Sequence, residues 1–213
     1  FLAESIEPNG DFTQWDITLR PDVSFHDRSP LTAQVVKNNL DAFLGNYPTR
    51  KPLLLRFLFE PIENVAVTGE LTLTISTSIP WPALPAALYS AGRAGIVAQS
   101  QLDDGETCDS ELIGTGPFKF DEWVVNDHLK LTRNDDYWLK DAAGNQLPYL
   151  DGIEFRPVVD SVVLANSVVS GELDMAHSSG AASTSILEDA EAAGEINLLQ
   201  SDAFPEVGYT IVN

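Results

Sequence analysis

The segment from Gly114 to Trp138, GTGPFKFDEWVVNDHLKLTRNDDYW, restricts the fold of this chain more than any other stretch. Its first four residues include two glycines and Pro117. The glycines permit unusual φ values, and the proline fixes the direction of the chain that follows. The next stretches, FKFDEWVV and HLKLTRN, alternate apolar and polar residues and are separated by a short Asn-Asp turn. This pattern predicts a rigid corner followed by a β-hairpin.

Nothing in this segment is typical of a catalytic or phosphate-binding loop. GTGPF has no lysine where a phosphate loop needs one, and Pro117 removes an N–H group that would bind an anion. Five aromatic side chains are instead expected in the core or at its edge: Phe118, Phe120, Trp123, Tyr137 and Trp138. The segment is therefore interpreted as scaffold.

Strands and helices alternate in the first half of the chain. Phe12 to Phe25 alternates apolar and polar residues, which predicts a half-buried strand. Apolar residues at helical spacing follow, with Thr32 as the expected N-cap and Gly45 as the expected stop. Glu63 to Ser76 predicts a hairpin, Ala83 to Tyr89 a short helix, and AGIVAQSQL a short strand or connector.

The second half continues the mixture. GIEFRPVV predicts a strand, and a helix is expected from Ser161 to Val169, followed by a short strand from Leu173 to Ala176. STSILEDAEAAG predicts a helix with Ser183 or Thr184 as N-cap and Gly194 as C-cap, and INLLQS and VGYTIVN predict strands. The order of elements favours a layered α/β or α+β fold.

The charge of the chain excludes some partners. Twelve basic residues against 32 acidic ones give a net charge of −20, so phosphate backbones and anionic membrane surfaces are repelled. No apolar run approaches the roughly 20 residues that span a bilayer. The single cysteine, Cys108, cannot form an internal disulfide, and its acidic neighbours disfavour a reactive thiolate.

Carboxylates and metal ligands show no diagnostic spacing. Acidic pairs occur at Asp103/Asp104 and Asp135/Asp136, but adjacent residues in a loop or strand point apart, whereas an acid–base pair must face one site. DAAGN and DDGETCDSE offer oxygen ligands without the spacing of a calcium loop, so a structural calcium ion is only an open alternative. No metal-binding residue and no cofactor are predicted.

The loop from Ser178 to Ser183, SSGAAS, is the candidate for nucleophilic catalysis. It lacks the G-x-S-x-G turn, and His177 is adjacent in sequence and poorly placed to deprotonate Ser178. A hydrolase would require Ser178 Oγ within hydrogen-bond reach of a ring nitrogen of His26 or His128. No catalytic residue is predicted, and an acid- or serine-dependent hydrolase is the lesser alternative.

Five stretches occur in the order and spacing of a known family: WDITLRPDVSFHDRSPLTAQVV, GTGPFKFDEW, LTRNDDYW, PYLDGIEFR and SGELDM. Together they resemble the extracellular solute-binding proteins of the dipeptide/oligopeptide/nickel type over essentially all 213 residues. Two residues depart from the pattern. Arg28 replaces the usual glycine of a turn, whose backbone shape is therefore expected to differ, and Val35 replaces an acidic residue at the start of a helix.

The resemblance implies a mixed α/β (α+β) fold, as in a lobe of a periplasmic binding protein of type II. Both ends of the chain look cut, so a fragment of a longer protein is expected, without the second lobe and the earliest N-terminal strand. Residues 1–95 would form an accessory subdomain of lobe one. Residues 96–213 would form part of the lobe-one α/β domain, ending at the hinge strand.

The function implied by the resemblance is the substrate-binding component of an ABC importer, which captures peptides or a similar small solute by closure of two lobes. The implied partners are that solute and the ABC permease subunits, with no nucleic acid and a monomeric state. The implied location is the periplasm or the cell exterior, with membrane association through an anchor outside this chain. A sensor or adhesion module on the same fold is the alternative, which a neighbouring permease gene would argue against.

The resemblance also implies ligand contacts. In peptide-binding relatives lobe one contributes the loop after the GELDM-type strand, which here is His177, Ser178 and Ser179. It also contributes Trp81 in the proline-rich segment and Tyr209 near the hinge. An aromatic wall with small hydroxyls is a reasonable half-pocket. The alternative is that Trp81 packs at the subdomain interface and Tyr209 in the core.

Overall fold

The structure, a computed structural model, describes residues 1–52, 56–89, 94–104, 111–178 and 180–199. The chain forms two compact units, Phe1–Phe155 and Arg156–Asn213. The predicted boundary near residue 95, between the accessory subdomain and the lobe-one α/β domain, is not tested by this division into units. It stays a prediction. None of the described helices combines the length and the apolar character needed to cross a bilayer.

A four-stranded antiparallel sheet organises the core of the first unit. In spatial order its strands are β1 (Ala3–Pro8), β2 (Gln14–Leu19), β4 (Thr72–Thr77) and β3 (Ile62–Val67). Alternation along β2 buries Trp15, Ile17 and Leu19 on one face, as predicted. The predicted hairpin of β3 and β4 is also confirmed.

Helix α1 (Ala33–Leu44) contributes its apolar side to the same core, together with the first residue of α2 (Leu84–Tyr89). Both predicted ends of α1 are confirmed. The Thr32 hydroxyl accepts a hydrogen bond from the Val35 N–H at 3.3 Å, and Gly45 adopts a left-handed φ of 83° at the C-terminus. These caps supply partners to backbone groups that the helix itself leaves unpaired.

Replacing Gly45 with alanine is expected to destabilise the first unit by about 2 kcal/mol. A side chain at a left-handed φ costs roughly 1–2 kcal/mol, and the new Cβ would lie 3.0 Å from Pro52 Cβ. Urea unfolding measures the loss. Gly10→Ala is the control, because a Cβ at Gly10 meets nothing within 4 Å. Equal stability losses in the two variants would contradict this account.

A three-stranded antiparallel sheet follows, with β5 (Phe118–Val124), β6 (His128–Arg133) and β7 (Gly152–Phe155) in that order. The predicted hairpin is confirmed: Phe118 pairs with Arg133 at one end and Val124 with His128 at the other. Asn126 in the connecting turn adopts a φ of 64°, which a tight hairpin turn requires of some residue.

The corner before this hairpin, residues 114–117, is held through its backbone. All four of its carbonyl oxygens accept hydrogen bonds from three residues outside it. His26 donates from its backbone N–H at 2.8 Å and from ring Nε2 at 3.0 Å. Asn134 donates from its backbone N–H at 2.9 Å and its side chain at 3.1 Å, and Trp138 donates from Nε1 at 3.1 Å. The guanidinium of Arg20 lies 5.5 Å from the centre of the Trp138 ring. The corner is thus fixed by residues from distant parts of the sequence.

The second unit contains the two predicted helices, α4 (Ser161–Val169) and α5 (Ala181–Ala192). The side chain of Asp160 caps α4 by accepting hydrogen bonds from the Val162 and Val163 N–H groups, each at 2.9 Å. Ala165 of α4 and Leu187 and Ala190 of α5 are the buried apolar residues that the two helices contribute to the interior of this unit.

Three predictions for the second unit are wrong. Leu173 to Ala176 is not a strand, nor is the described part of INLLQS, because strand backbone needs a pairing partner and none lies among the described residues of this unit. The N-cap of α5 is Gly180, since the hydroxyls of Ser183 and Thr184 donate back to the Gly180 carbonyl within the first turn.

The first unit also differs from expectation at two places. Gln99–Asp103 forms a short helix, α3, where a strand or connector was predicted. Ala98 and Leu102 are both buried and lie four residues apart, which suits a helix. Arg28 adopts a φ of 69°, the left-handed conformation that a glycine would favour, despite carrying a side chain. The predicted strand VGYTIVN lies outside the described residues.

Candidate functional site

A pocket of about 380 Å³ lies in the second unit, beside the predicted ligand-contacting loop. Its walls come from α4, α5 and the segments that follow each helix. Apolar residues of the helices form one part of the lining: Leu164, Ala165, Val168 and Leu187. Polar residues of the connecting segments form another part: Asp174, Ser178, Glu195 and Asn197. The pocket therefore combines an apolar floor with a few polar groups, which is the usual make-up of a small-molecule site.

Ser178 is the predicted contact residue that lines this pocket. Its Oγ lies 2.5 Å from Ser183 Oγ, and Ser183 is completely buried. Ser183 already donates its proton to the Gly180 carbonyl at 2.7 Å, so Ser178 is the donor in the pair of hydroxyls. This leaves the lone pairs of Ser178 Oγ as acceptors for an N–H group in the pocket.

Ser183 is the residue of this arrangement whose role was not predicted. It was expected to cap α5, but it lies within the first turn and positions Ser178 instead. The sequence does carry a relevant signal, because Ser183 follows Gly180 by three residues. That spacing lets a serine hydroxyl bond a preceding carbonyl on a helix, as well as cap one.

The other predicted contacts are placed as follows. His177 is exposed and Trp81 is half-buried, where Trp81 packs against the core of the first unit. Ser179 and Tyr209 lie outside the described residues. The roles of all these residues as ligand contacts stay predictions.

The two histidines that a serine hydrolase would need have local partners. Both ring nitrogens of His26 are engaged by the backbone of the corner. The ring of His128 lies 3.1 Å from Glu122 and 2.9 Å from Asp127, and these carboxylates raise the pKa of His128 above its usual value. Ser178 is hydrogen-bonded to another hydroxyl rather than to an imidazole.

The acidic pairs singled out in the sequence also have structural partners. Asp103 accepts hydrogen bonds from Tyr47 and Gln99, which lower its pKa, and Asp135 pairs with Arg133 at 3.2 Å. In the part of the chain that the structure describes, no three side chains of His, Cys, Asp or Glu come together in a way that could hold a metal ion.

Comparison with known proteins adds the family. The model for the bacterial extracellular solute-binding proteins, family 5 Middle, matches residues 1–213. The glutathione-binding protein GsiB of Pectobacterium atrosepticum is 32% identical over 177 residues, which cover 83% of this chain and 33% of that protein. The chain thus spans about a third of the length of the curated relatives that it matches.

Solved structures show the same fold. MoaA from A. tumefaciens R10, in complex with mannopinic acid, is 27% identical with a TM-score of 0.69, covering 82% of this chain and 34% of MoaA. NikA from Brucella suis, in complex with Fe(III)-EDTA, is 30% identical with a TM-score of 0.64, covering 81% and 33%. The predicted mixed α/β fold of the type II periplasmic binding proteins is confirmed. The chain belongs to the bacterial extracellular solute-binding proteins of family 5, since the model of that family matches it over residues 1–213.

Proposed function

We propose that the longer protein containing this chain is the substrate-binding component of an ABC importer, which captures peptides or a similar small solute by closure of two lobes. The observation that carries the proposal is the family match over all 213 residues. Two relatives support a small solute: GsiB is named for glutathione binding, and MoaA was solved with mannopinic acid.

The contribution of this chain to the site is His177 and Ser178, which precede α5, and Ser179 is proposed with them on the strength of the resemblance. Ser178 Oγ can accept a hydrogen bond from an N–H group of the solute, because its own proton is donated to Ser183. A solute with an amide or ammonium group, such as a short peptide, fits that acceptor. Trp81 and Tyr209 are proposed as further contacts on the strength of the resemblance alone.

The proposed mechanism contains no covalent step. Contacts made in both lobes stabilise the closed state, and the protein then delivers the solute to its permease. The local engagement of His26, His128 and Ser178 supports this reading over a hydrolase. We also propose action in the periplasm or at the cell exterior, with the anchor outside this chain.

Binding of glutathione, dipeptides and tripeptides to the complete protein, measured by calorimetry, tests the proposal. At least one of these solutes is expected to bind and to be recovered unchanged. Ser178→Ala is expected to weaken that binding about tenfold, since it removes the hydroxyl that accepts the solute's N–H. Ser185→Ala is the matched control, because Ser185 is exposed on α5 and does not line the pocket.

Three results would count against the proposal. Chemical conversion of the bound solute would indicate an enzyme. Unchanged solute uptake in cells that lack the neighbouring permease would contradict the transport role. Equal affinities of Ser178→Ala and Ser185→Ala would remove Ser178 from the site while leaving the transport role intact.

A further inference from the structure

The ring of His26 bonds two backbone groups of the corner at residues 114–117. Nδ1 accepts a hydrogen bond from the Gly114 N–H at 3.3 Å, and Nε2 lies 3.0 Å from the Gly116 carbonyl oxygen. A carbonyl oxygen only accepts and an amide N–H only donates. The ring must therefore be neutral and carry its proton on Nε2 for both bonds to exist. His26 is half-buried, so these bonds are partly shielded from water.

A second proton on this ring is incompatible with one of the two bonds. Protonated Nδ1 would present an N–H to the N–H of Gly114, and two donors cannot bond each other. We propose that His26 is a proton-operated latch: the neutral ring fastens the Gly114 N–H to the chain before α1, and protonation releases it. Histidine is the side chain whose ordinary titration falls roughly between pH 5 and 8, which sets the pH range of the test.

The two bonds of the His26 ring involve no charged side chain. The corner itself contributes no charged side chain. Asp27, the nearest carboxylate in sequence, is engaged by the Ser29 and Ser100 hydroxyls at 2.5 and 2.8 Å. The other charged residues on the segments that carry these contacts are Arg20, Asp22, Arg28, Asp103, Asp104, Glu111, Arg133, Asp135 and Asp136, and Tyr137 is a further titratable residue there. His26 itself takes part in no ion pair within the described ranges.

The release is local rather than a general unfolding. The Gly116 carbonyl keeps its bond from the Asn134 side chain, and the Gly114 carbonyl keeps the bond from the His26 backbone N–H. Trp138 still donates to the Thr115 carbonyl. Protonation therefore frees the Gly114 N–H while the four carbonyl oxygens of the corner stay bonded, so the corner loosens on the side that faces His26.

Hydrogen exchange tests the latch in the protein itself. The probe is the Gly114 amide, isolated by overlapping peptides in mass spectrometry and corrected for the intrinsic dependence of exchange on pH. Its protection is expected to fall about fivefold from pH 7.5 to pH 5, which corresponds to loss of one ordinary hydrogen bond. No fall in the wild-type protein would overturn the proposal.

Two substitutions separate the two ring nitrogens. In His26→Asn the side-chain oxygen replaces the Nδ1 acceptor and cannot titrate, so protection is expected to be the same at both pH values. In His26→Gln the side-chain NH2 group takes the place of Nε2 as donor to the Gly116 carbonyl, but no acceptor takes the place of Nδ1, so protection is expected to be low at both pH values. A fall with pH that persists in His26→Asn would overturn the proposal.

His128→Asn is the control for the other histidine of the first unit. It is expected to leave the wild-type response of Gly114 unchanged, because His128 bonds Glu122 and Asp127 on the hairpin. If either His26 variant fails to fold, the pH response of Gly114 in the wild-type and His128→Asn proteins still tests the proposal. Loss of the response in His128→Asn would assign it to that residue and overturn the proposal.

Discussion

Replacing Asn39 with leucine is expected to lower the free energy of unfolding by about 3 kcal/mol. Asn39 is completely buried in α1, and its side chain makes three hydrogen bonds of 2.9 Å. Its amide donates to the carbonyls of Val35 and Val97, and its oxygen accepts from the Val97 N–H. Leucine fills a similar volume but leaves the Val97 N–H and carbonyl without these partners. Each unpaired buried polar group costs about 1–3 kcal/mol.

Asn38→Leu is the matched control for this prediction. Asn38 is one residue earlier in the same helix and half-buried, and it bonds the side chains of Gln34 and Gln99. Those amides can turn to water when Asn38 is lost, so a change below about 1 kcal/mol is expected. Urea unfolding of both variants measures the difference. Similar losses in the two variants would show that the bonds to Val97 do not stabilise the fold.

Replacing Leu73 with alanine is expected to cost about 3 kcal/mol, within the range of about 2–5 kcal/mol for buried leucines. Leu73 is 1% exposed in β4, between Ile17 of β2 and Val67 of β3. Strands on both sides restrain the backbone, so the space left by the missing methyl groups cannot close fully. The loss is therefore expected to include a cavity contribution as well as the loss of buried apolar area.

Leu150→Ala makes the same chemical change on the surface. Leu150 is 60% exposed in the loop before β7, so its truncation removes little buried area. A change within about 0.5 kcal/mol is expected. Denaturation midpoints of the two variants should therefore be well separated. If Leu150→Ala is as destabilising as Leu73→Ala, the four-stranded sheet does not hold the core of the first unit.

The sequence predicted the elements whose local chemistry agrees with their packing. The alternation of Trp15, Ile17 and Leu19 with polar residues is enough to predict a strand, because a strand with one buried face must alternate apolar and polar side chains. Thr32 and Gly45 were predicted correctly as the ends of α1 because the preference for a cap residue depends only on the unpaired backbone groups at that end of the helix. Each of these predictions depends on a few neighbouring residues only.

Predictions that depended on distant partners did not succeed. Leu173 to Ala176 has the composition of a strand, but a strand forms only beside another one, and the sequence does not say which segments meet. The pairing of Ser178 with Ser183 was missed because a serine near a helix start suits two roles, capping and back-bonding. The bonds from His26 to the corner span about 90 residues and leave no local pattern.

The backbone bonds of the corner also limit where the chain can be divided in experiments. A polypeptide that ended after Asp104 would retain β1 to β4 and α1, yet the ring of His26 would lose both groups that it bonds. Arg20 would likewise lose the Trp138 ring beneath its guanidinium. A shortened version of the chain that keeps the first unit should therefore run to Phe155, so that the donors and acceptors of residues 114–117 stay in one molecule.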